Sequence, residues 1–310
     1  MRRVIPTTLA LTCLLATAGA AQASYPGKDG PIVFSKNGDV WAVPATGGKA
    51  RDITRDKNDQ ESQPTVSPNG RTLAVTVEGP VTTPEIFTTD MKGKHARWVT
   101  KTLSRSGKYL RFEGATWSPN GKRLAFVCNT FSKDQLCVTS AKGGKAKVIA
   151  RCNSCSMGQP DWSKKDKIVY RHGLDLWVVN GSGGGNHKLP IAPIDNTDAY
   201  GYADPSWSPS GKQIAFSVAD ANTAIDIVDA NGSGHHRILQ DQTFRDTGID
   251  YDYPVWALDG KSIGVHVSTV QNPTPQEGFY TVNPDGSNLT FRSAAVTGQY
   301  PEPFWATKPR

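Results

Sequence analysis

Histidine is scarce in this sequence, with six residues in 310, and methionine is scarcer, with three. That shortage works against any metal centre built from several imidazoles. Neither the H-E-x-x-H helix of a zinc protease nor a glycine-rich phosphate loop occurs. Beyond the N-terminal leader there is no apolar run long enough to cross a bilayer as a helix. Strong helical periodicity is also missing. Glycine, proline, threonine and valine recur throughout instead, and the chain reads as all-β.

The single long apolar stretch stands at the start. Arg2 and Arg3 form a basic beginning, apolar residues follow from Leu9 to Ala18, and small residues end at Ala21-Gln22-Ala23. That order is a secretory signal peptide with cleavage before Ser24. Cys13 sits inside the apolar run behind Thr12, so a lipid anchor is not expected. The protein is expected to be exported, periplasmic or secreted, with residues 1–23 as leader and 24–310 as a single domain. The formal net charge is +7, and Arg2 and Arg3 in the leader contribute two of the positive charges. Export argues against nucleic acid as a partner.

A repeat dominates the rest of the chain. "DPSWSPSGKQIAF" (204–216) aligns with "QPTVSPNGRTLAV" (63–75), "GATWSPNGKRLAF" (114–126), "QPDWSKKDKIVY" (159–170) and "YPVWALDGKSIGV" (253–265), and "EPFWA" (302–306) is a truncated last copy. The key position falls at Val66, Trp117, Trp162, Trp207, Trp256 and Trp305, a period of 45 to 51 residues. Self-similarity at that period marks a β-propeller, one four-stranded blade per repeat. Ser-Pro-Asn-Gly suits a type I turn, because proline presets φ at the second position and glycine relieves crowding at the fourth. The tryptophan is large enough to fill the wedge between blades. The phase of the ends is informative too. The chain opens on a second strand, "PIVFS", and a third, "DVWAV", and finishes on a first strand around Phe304 to Thr307. Both ends are therefore expected to share one blade, closing a ring of six and removing its exposed edges.

The repeat resembles that of the TolB-like propeller family, whose WD40-like (PD40) repeats carry the pattern P-x-W-S-P-D/N-G-K-x-I-A-F. The resemblance spans nearly the whole mature chain and implies a six-bladed propeller. It implies little about activity, since one fold hosts many functions. TolB of the Tol–Pal system carries an α/β domain before its propeller. Here the repeats begin almost at the cleavage site, so a Tol–Pal role does not follow. Some members are polysaccharide lyases that hold a divalent metal with several histidines near the channel. His95, His187, His235 and His236 fall in or beside turns on the opposite face, which leaves only His172 and His266 for such a set.

Successive connections alternate between the two faces of the disc. One face carries short regular turns. The other, here the top, carries irregular loops, where propellers usually place function. Gln63, Glu113, Gln159, Asp204, Tyr253 and Glu302 precede the inner strands and are expected to ring the channel mouth. Asp252 adds a carboxylate, and Tyr202 and Tyr300 add stacking surface. Carboxylates beside aromatic faces suit a peptide, a sugar or a cation; the plainer reading is a solvated rim whose acids cap loops. The expected role is a binding module for an envelope protein segment or a cell-envelope polysaccharide. A carbohydrate-active enzyme using paired carboxylates at the same mouth is the alternative, and a structural scaffold the third. No catalytic residue and no cofactor is assigned, the metal question is open, and a monomer is expected. The turn face is rich in lysine and arginine, which fits peripheral contact with an anionic surface; equally, lysine after the turn glycine is part of the repeat. Gly260 to Gly264 match G-x-S-x-G but lie inside the repeat, without the strand–turn–helix elbow that motif needs.

Four cysteines follow the leader, in an oxidising compartment. A symmetric hairpin centred between Ser132 and Lys133 sets Cys128 opposite Cys137, which leaves Cys152 to pair with Cys155. The C-x-x-C pair also admits other readings, a soft Cu(I) site with Met157 or a redox pair.

Overall fold

The computed structural model describes residues 29–308, apart from 56–59, 79–82, 110, 131–132, 195–200, 219–223, 241–247, 270–274, 295 and 297–301. The expected leader, 1–23, lies outside the described residues.

Each repeat folds as its turn chemistry dictates. In Ser67-Pro68-Asn69-Gly70 the Gly70 N–H donates to the Ser67 carbonyl at 2.8 Å, closing the turn. The Asn69 side-chain oxygen accepts the Arg71 N–H at 3.0 Å, and the Ser67 hydroxyl oxygen accepts the Thr72 N–H at 3.0 Å. The same closure recurs from Gly121 to Ser118, Asp166 to Ser163, Gly211 to Ser208 and Gly260 to Ala257. These turns lead out of the first strands, Gln60–Val66, Arg111–Trp117, Met157–Trp162, Tyr202–Trp207 and Ile249–Trp256.

Six antiparallel sheets of four strands result, arranged as a propeller. Blades 1 to 5 are continuous in sequence and cover 60–98, 111–152, 157–188, 202–240 and 249–293. Blade 6 is built from both ends of the chain: Phe304–Thr307 pairs with Asp29–Lys36, followed by Asp39–Val43 and Arg51–Asp52. Ile32 faces Trp305 and Val33 faces Phe304 in that closing ladder, as the phase of the ends predicts. Among the described residues the one helix is a single turn, Lys101–Ser104.

The core lies between blades. Trp162 packs with Ile168, Tyr170 and Val179 of its own blade against Ala125, Val127, Leu136 and Val138 of blade 2. Trp256 does the same against Ile225 and Ile227 of blade 4. Because a blade is covered on both faces, second strands such as Arg123–Asn129 read as continuous apolar runs rather than alternating ones. Gly264, the last residue of the G-x-S-x-G string, lies inside a strand where a Cβ would overlap the Phe279 ring. Packing accounts for that glycine.

Both disulfides are present, Cys128–Cys137 and Cys152–Cys155, with Cα separations of 5.9 and 5.6 Å. The hairpin between the first pair differs from the expected one. Asn129 faces Asp134 and Cys128 faces Gln135, while Cys137 faces Phe126. The hairpin is centred one residue earlier than symmetry about Ser132 and Lys133 requires. Residues two apart share a face of the sheet, so Cys128 reaches Cys137 diagonally.

Candidate functional site

In each of blades 1 to 5 the ladder between first and second strands breaks at one place. The register jumps between Ser62 and Thr65, Glu113 and Thr116, Gly158 and Asp161, Ala203 and Ser206, and Asp252 and Val255. The skipped residues are mostly an X-Pro pair, and proline has no N–H to give to a ladder. The residue before it turns left-handed: φ is 53° at Gln63, 43° at Gln159, 49° at Asp204, 51° at Tyr253 and 43° at Glu302. In blade 2 this place belongs to Gly114, at 65°, and Glu113 precedes it. These five bulges, and the left-handed turn at Glu302, bring the six X positions and five prolines to a cavity of about 150 Å³ that Trp256, Phe304 and Trp305 also line.

Neighbouring blades are tied across this ring. The Gln63 N–H donates to Glu302 Oε2 at 2.7 Å, and the Gly114 N–H donates to Gln63 Oε1, also at 2.7 Å. A second set of contacts links blades 2, 3 and 4 each to the next blade's tryptophan. Thr116 Oγ1 accepts the Trp162 N–H at 3.3 Å, Asp161 Oδ2 that of Trp207 at 2.6 Å, and Ser206 Oγ that of Trp256 at 3.3 Å. Thr116, Asp161 and Ser206 were not singled out from sequence. Their signal is positional: each stands directly before the repeat's tryptophan.

The carboxyls at the mouth are hard to ionise. Burial pushes Asp204 up to about 6, against the opposing pull of the Ser217 hydrogen bond and Arg171. Burial, with the charges of Asp204 and Asp250, raises Asp252 to about 7. Burial, reinforced by Asp204 and Glu113, lifts Glu302 to about 7 despite the Gln63 N–H. Glu113 is raised by burial as well, against the pull of Arg111. Arg111 pairs with Glu113 at 3.4 Å, and Arg171 acts on both Glu113 and Asp204. Arg171 donates from Nε to Gln159 Oε1 at 3.3 Å and from a terminal nitrogen to Ser156 Oγ at 2.9 Å.

The expected residues therefore divide. Gln63, Gln159, Asp204, Tyr253 and Glu302 line the cavity. Glu113 and Asp252 stand one residue before the ring and reach it through charge rather than by lining it. Tyr202 turns elsewhere, packing edge-on against Phe216 at 5.1 Å. Tyr300 lies outside the described residues.

Known structures share the fold. TolB from Acinetobacter baumannii aligns over 90% of this chain and 67% of its own, with a TM-score of 0.67 at 14% identity. A putative TolB from Agrobacterium tumefaciens aligns over 81% of this chain and 91% of its own, with a TM-score of 0.64 at 17% identity. The fold is a TolB-like propeller. A chain of the nidogen/laminin complex also matches, over 89% of this chain and 98% of its own, with a TM-score of 0.65 at 11% identity. Hydrolases and a lyase share the fold at similar identity, so the likeness fixes architecture and not activity. No family model and no curated protein matches the sequence.

Several basic side chains of this TolB-like propeller hold blades together. Arg123 donates to the Gly181 carbonyl at 3.1 Å, pairs with Asp166 at 3.3 Å and covers the Trp162 ring at 4.8 Å. Lys147 donates to the Ser182 carbonyl, and Arg51 to that of Met91. Arg237, just after a turn, is turned inward onto buried Asp226. Among the described residues, one group has the spacing of metal ligands: Cys152, Cys155 and His172, with ligand atoms within 4.8 Å of one another. Its two sulfurs are joined to each other, so the arrangement is a disulfide beside an imidazole.

Proposed function

We propose that the protein is an exported binding module that takes a segment of a partner protein at the channel mouth. The observation that carries this reading is the set of half-buried carboxyls, Asp204, Asp252 and Glu302, each held well above its ordinary pKa. Enclosure makes their negative charge costly until something compensates it. A lysine or arginine side chain, or a chain's amino terminus, supplies both a positive charge and hydrogen-bond donors. Tyr253 adds an aromatic face beside them. A cavity of about 150 Å³ suits one such group. An envelope polysaccharide would call for an elongated cleft with successive subsites, which favours the protein segment.

A second reading keeps a specific observation. A carboxyl still protonated near neutral pH, beside one that ionises more readily, is how glycoside hydrolases arrange a general acid. Asp252 and Glu302 near 7, against Asp204 near 6, have that character. Cleavage of an envelope glycan by the purified protein, abolished in Glu302→Gln, would support the enzyme.

The binding reading is tested by affinity capture from envelope extract. Wild type is set beside Asp204→Asn/Glu302→Gln, with circular dichroism to show that the variant is folded. A protein retained by wild type and lost by the folded variant is the expected result. Equal retention by both overturns the reading and moves attention to the cationic turn face or to a scaffold role.

A further inference from the structure

The two disulfides differ in their surroundings. Cys128 and Cys137 are both fully buried, and the contact at Cys128 Sγ is the Gln135 carbonyl at 3.4 Å. An oxygen acceptor there disfavours a thiolate. Cys152 and Cys155 bracket the loop from blade 2 into blade 3, and only Cys152 is fully enclosed, at 2% exposure. Cys155 is half-buried, and the His172 ring lies against its sulfur, with Nδ1 at 3.5 Å. The ring is held from two sides. Nε2 lies 3.4 Å from the Arg151 carbonyl and 3.9 Å from Cys155 Sγ, and the ring packs on Trp177 with centroids 4.5 Å apart and planes tilted by 30°. An N–H on Nε2, facing that carbonyl, leaves the Nδ1 lone pair toward Cys155.

We propose that Cys152–Cys155 is a reactive disulfide that exchanges with dithiols, with Cys155 as the entry sulfur and His172 as its proton partner. A thiolate of the dithiol attacks Cys155 Sγ, the accessible sulfur. The Cys152–Cys155 bond breaks, and Cys152 leaves as a thiolate that takes up a proton. The second thiol of the reagent, deprotonated, then attacks the reagent's own sulfur in the mixed disulfide and expels Cys155. The dithiol ends as its cyclic disulfide, and the protein gains two electrons. Its two protons reside on Cys152 and on the Cys155–His172 pair. A thiol next to an imidazole ionises more readily, and a thiolate that forms easily also leaves faster. In the reverse direction the Cys155 thiolate attacks a sulfur of the reagent's cyclic disulfide, and the Cys152 thiolate then attacks Cys155 Sγ in the mixed disulfide and expels the dithiol.

The test equilibrates the folded chain with dithiothreitol buffers of graded redox ratio, alkylates free thiols and maps them by mass spectrometry. Cys152 and Cys155 are expected to become labelled while Cys128 and Cys137 stay joined. In the reduced chain, the pH of half-maximal alkylation of Cys155 should lie below the ordinary thiol value of about 8.5. His172→Gln should return it toward that value and make reduction roughly tenfold less favourable, equivalent to about 30 mV. A purely structural imidazole would leave that alkylation pH unmoved. Simultaneous reduction of both disulfides only on denaturation, or an alkylation profile unchanged by His172→Gln, overturns the proposal. Retained protection of Cys128 and Cys137 in the variant shows that it remains folded.

Discussion

Gly114 occupies in blade 2 the place held by Gln63, Gln159, Asp204, Tyr253 and Glu302 in the others, and the reason is the backbone. A left-handed φ costs a residue with a Cβ roughly 1–2 kcal/mol, and glycine escapes that cost. A Cβ at Gly114 would also lie 3.3 Å from Pro160 Cδ. Gly114→Ala should therefore destabilise the protein by about 1–2 kcal/mol in urea unfolding; an unchanged midpoint contradicts the account. The same position shows where sequence reading stops. Glu113 is expected in the ring from sequence, whereas alignment on Trp117 puts Gly114 there. Left-handed backbone was not legible either, since glutamine, tyrosine and glutamate do not announce it as asparagine or glycine would.

Turns were legible as elements, because Ser-Pro-Asn-Gly and its variants state their geometry locally. Strand faces were less so. Asp226 lies in Ala224–Asp229, where an acid in an apolar run would face solvent in a one-sided sheet. A blade is covered on both faces, and Asp226 is fully buried. Its partners come from the chain just beyond: Arg237 Nε at 2.9 Å and His235 Nε2 at 2.8 Å. Both ring nitrogens of His235 face acceptors, Asp226 and, at 2.6 Å, the Ala192 carbonyl. Burial pulls its pKa down, but these two hydrogen bonds and the Asp226 charge outweigh it and raise it. Asp226→Asn would leave Arg237 enclosed without its counter-charge. The expected loss is about 3–5 kcal/mol, read by chemical denaturation. A loss near zero would mean that water or a rearranged side chain takes over the pairing. Register was the other limit at this scale: the symmetric hairpin assumed for Cys128 and Cys137 missed the centre by one residue.

At the scale of the whole molecule, the number of blades and the shared sixth blade followed from the repeat and the phase of its ends. The electrostatics of the mouth did not, because they exist only once residues some 50 apart in sequence are enclosed together. Their consequence is a pH dependence with a definite sign. Asp204, Asp252 and Glu302 keep their protons in the folded chain up to about 6, 7 and 7, whereas unfolded carboxyls lose them near 4. The stability they contribute is complete below about pH 4 and is lost as pH rises through 6 to 7. His266 opposes them. Burial holds it down to about 4, so its contribution is present above about pH 6.5 and is lost as pH falls toward 4. Three groups outweigh one, and stability should decline between about pH 4 and 7. Asp204→Asn/Asp252→Asn/Glu302→Gln should flatten that decline; an identical slope in the variant would remove these groups as its source.

The most direct measurement is a titration of the side-chain carboxyl carbons by NMR in the folded protein without a partner. The account predicts three resonances, assigned through the Asp204, Asp252 and Glu302 variants, with midpoints near 6, 7 and 7. Midpoints in the ordinary carboxylate range near 4 would contradict it. The mouth would then be a solvated rim with no unmet demand for a positive partner.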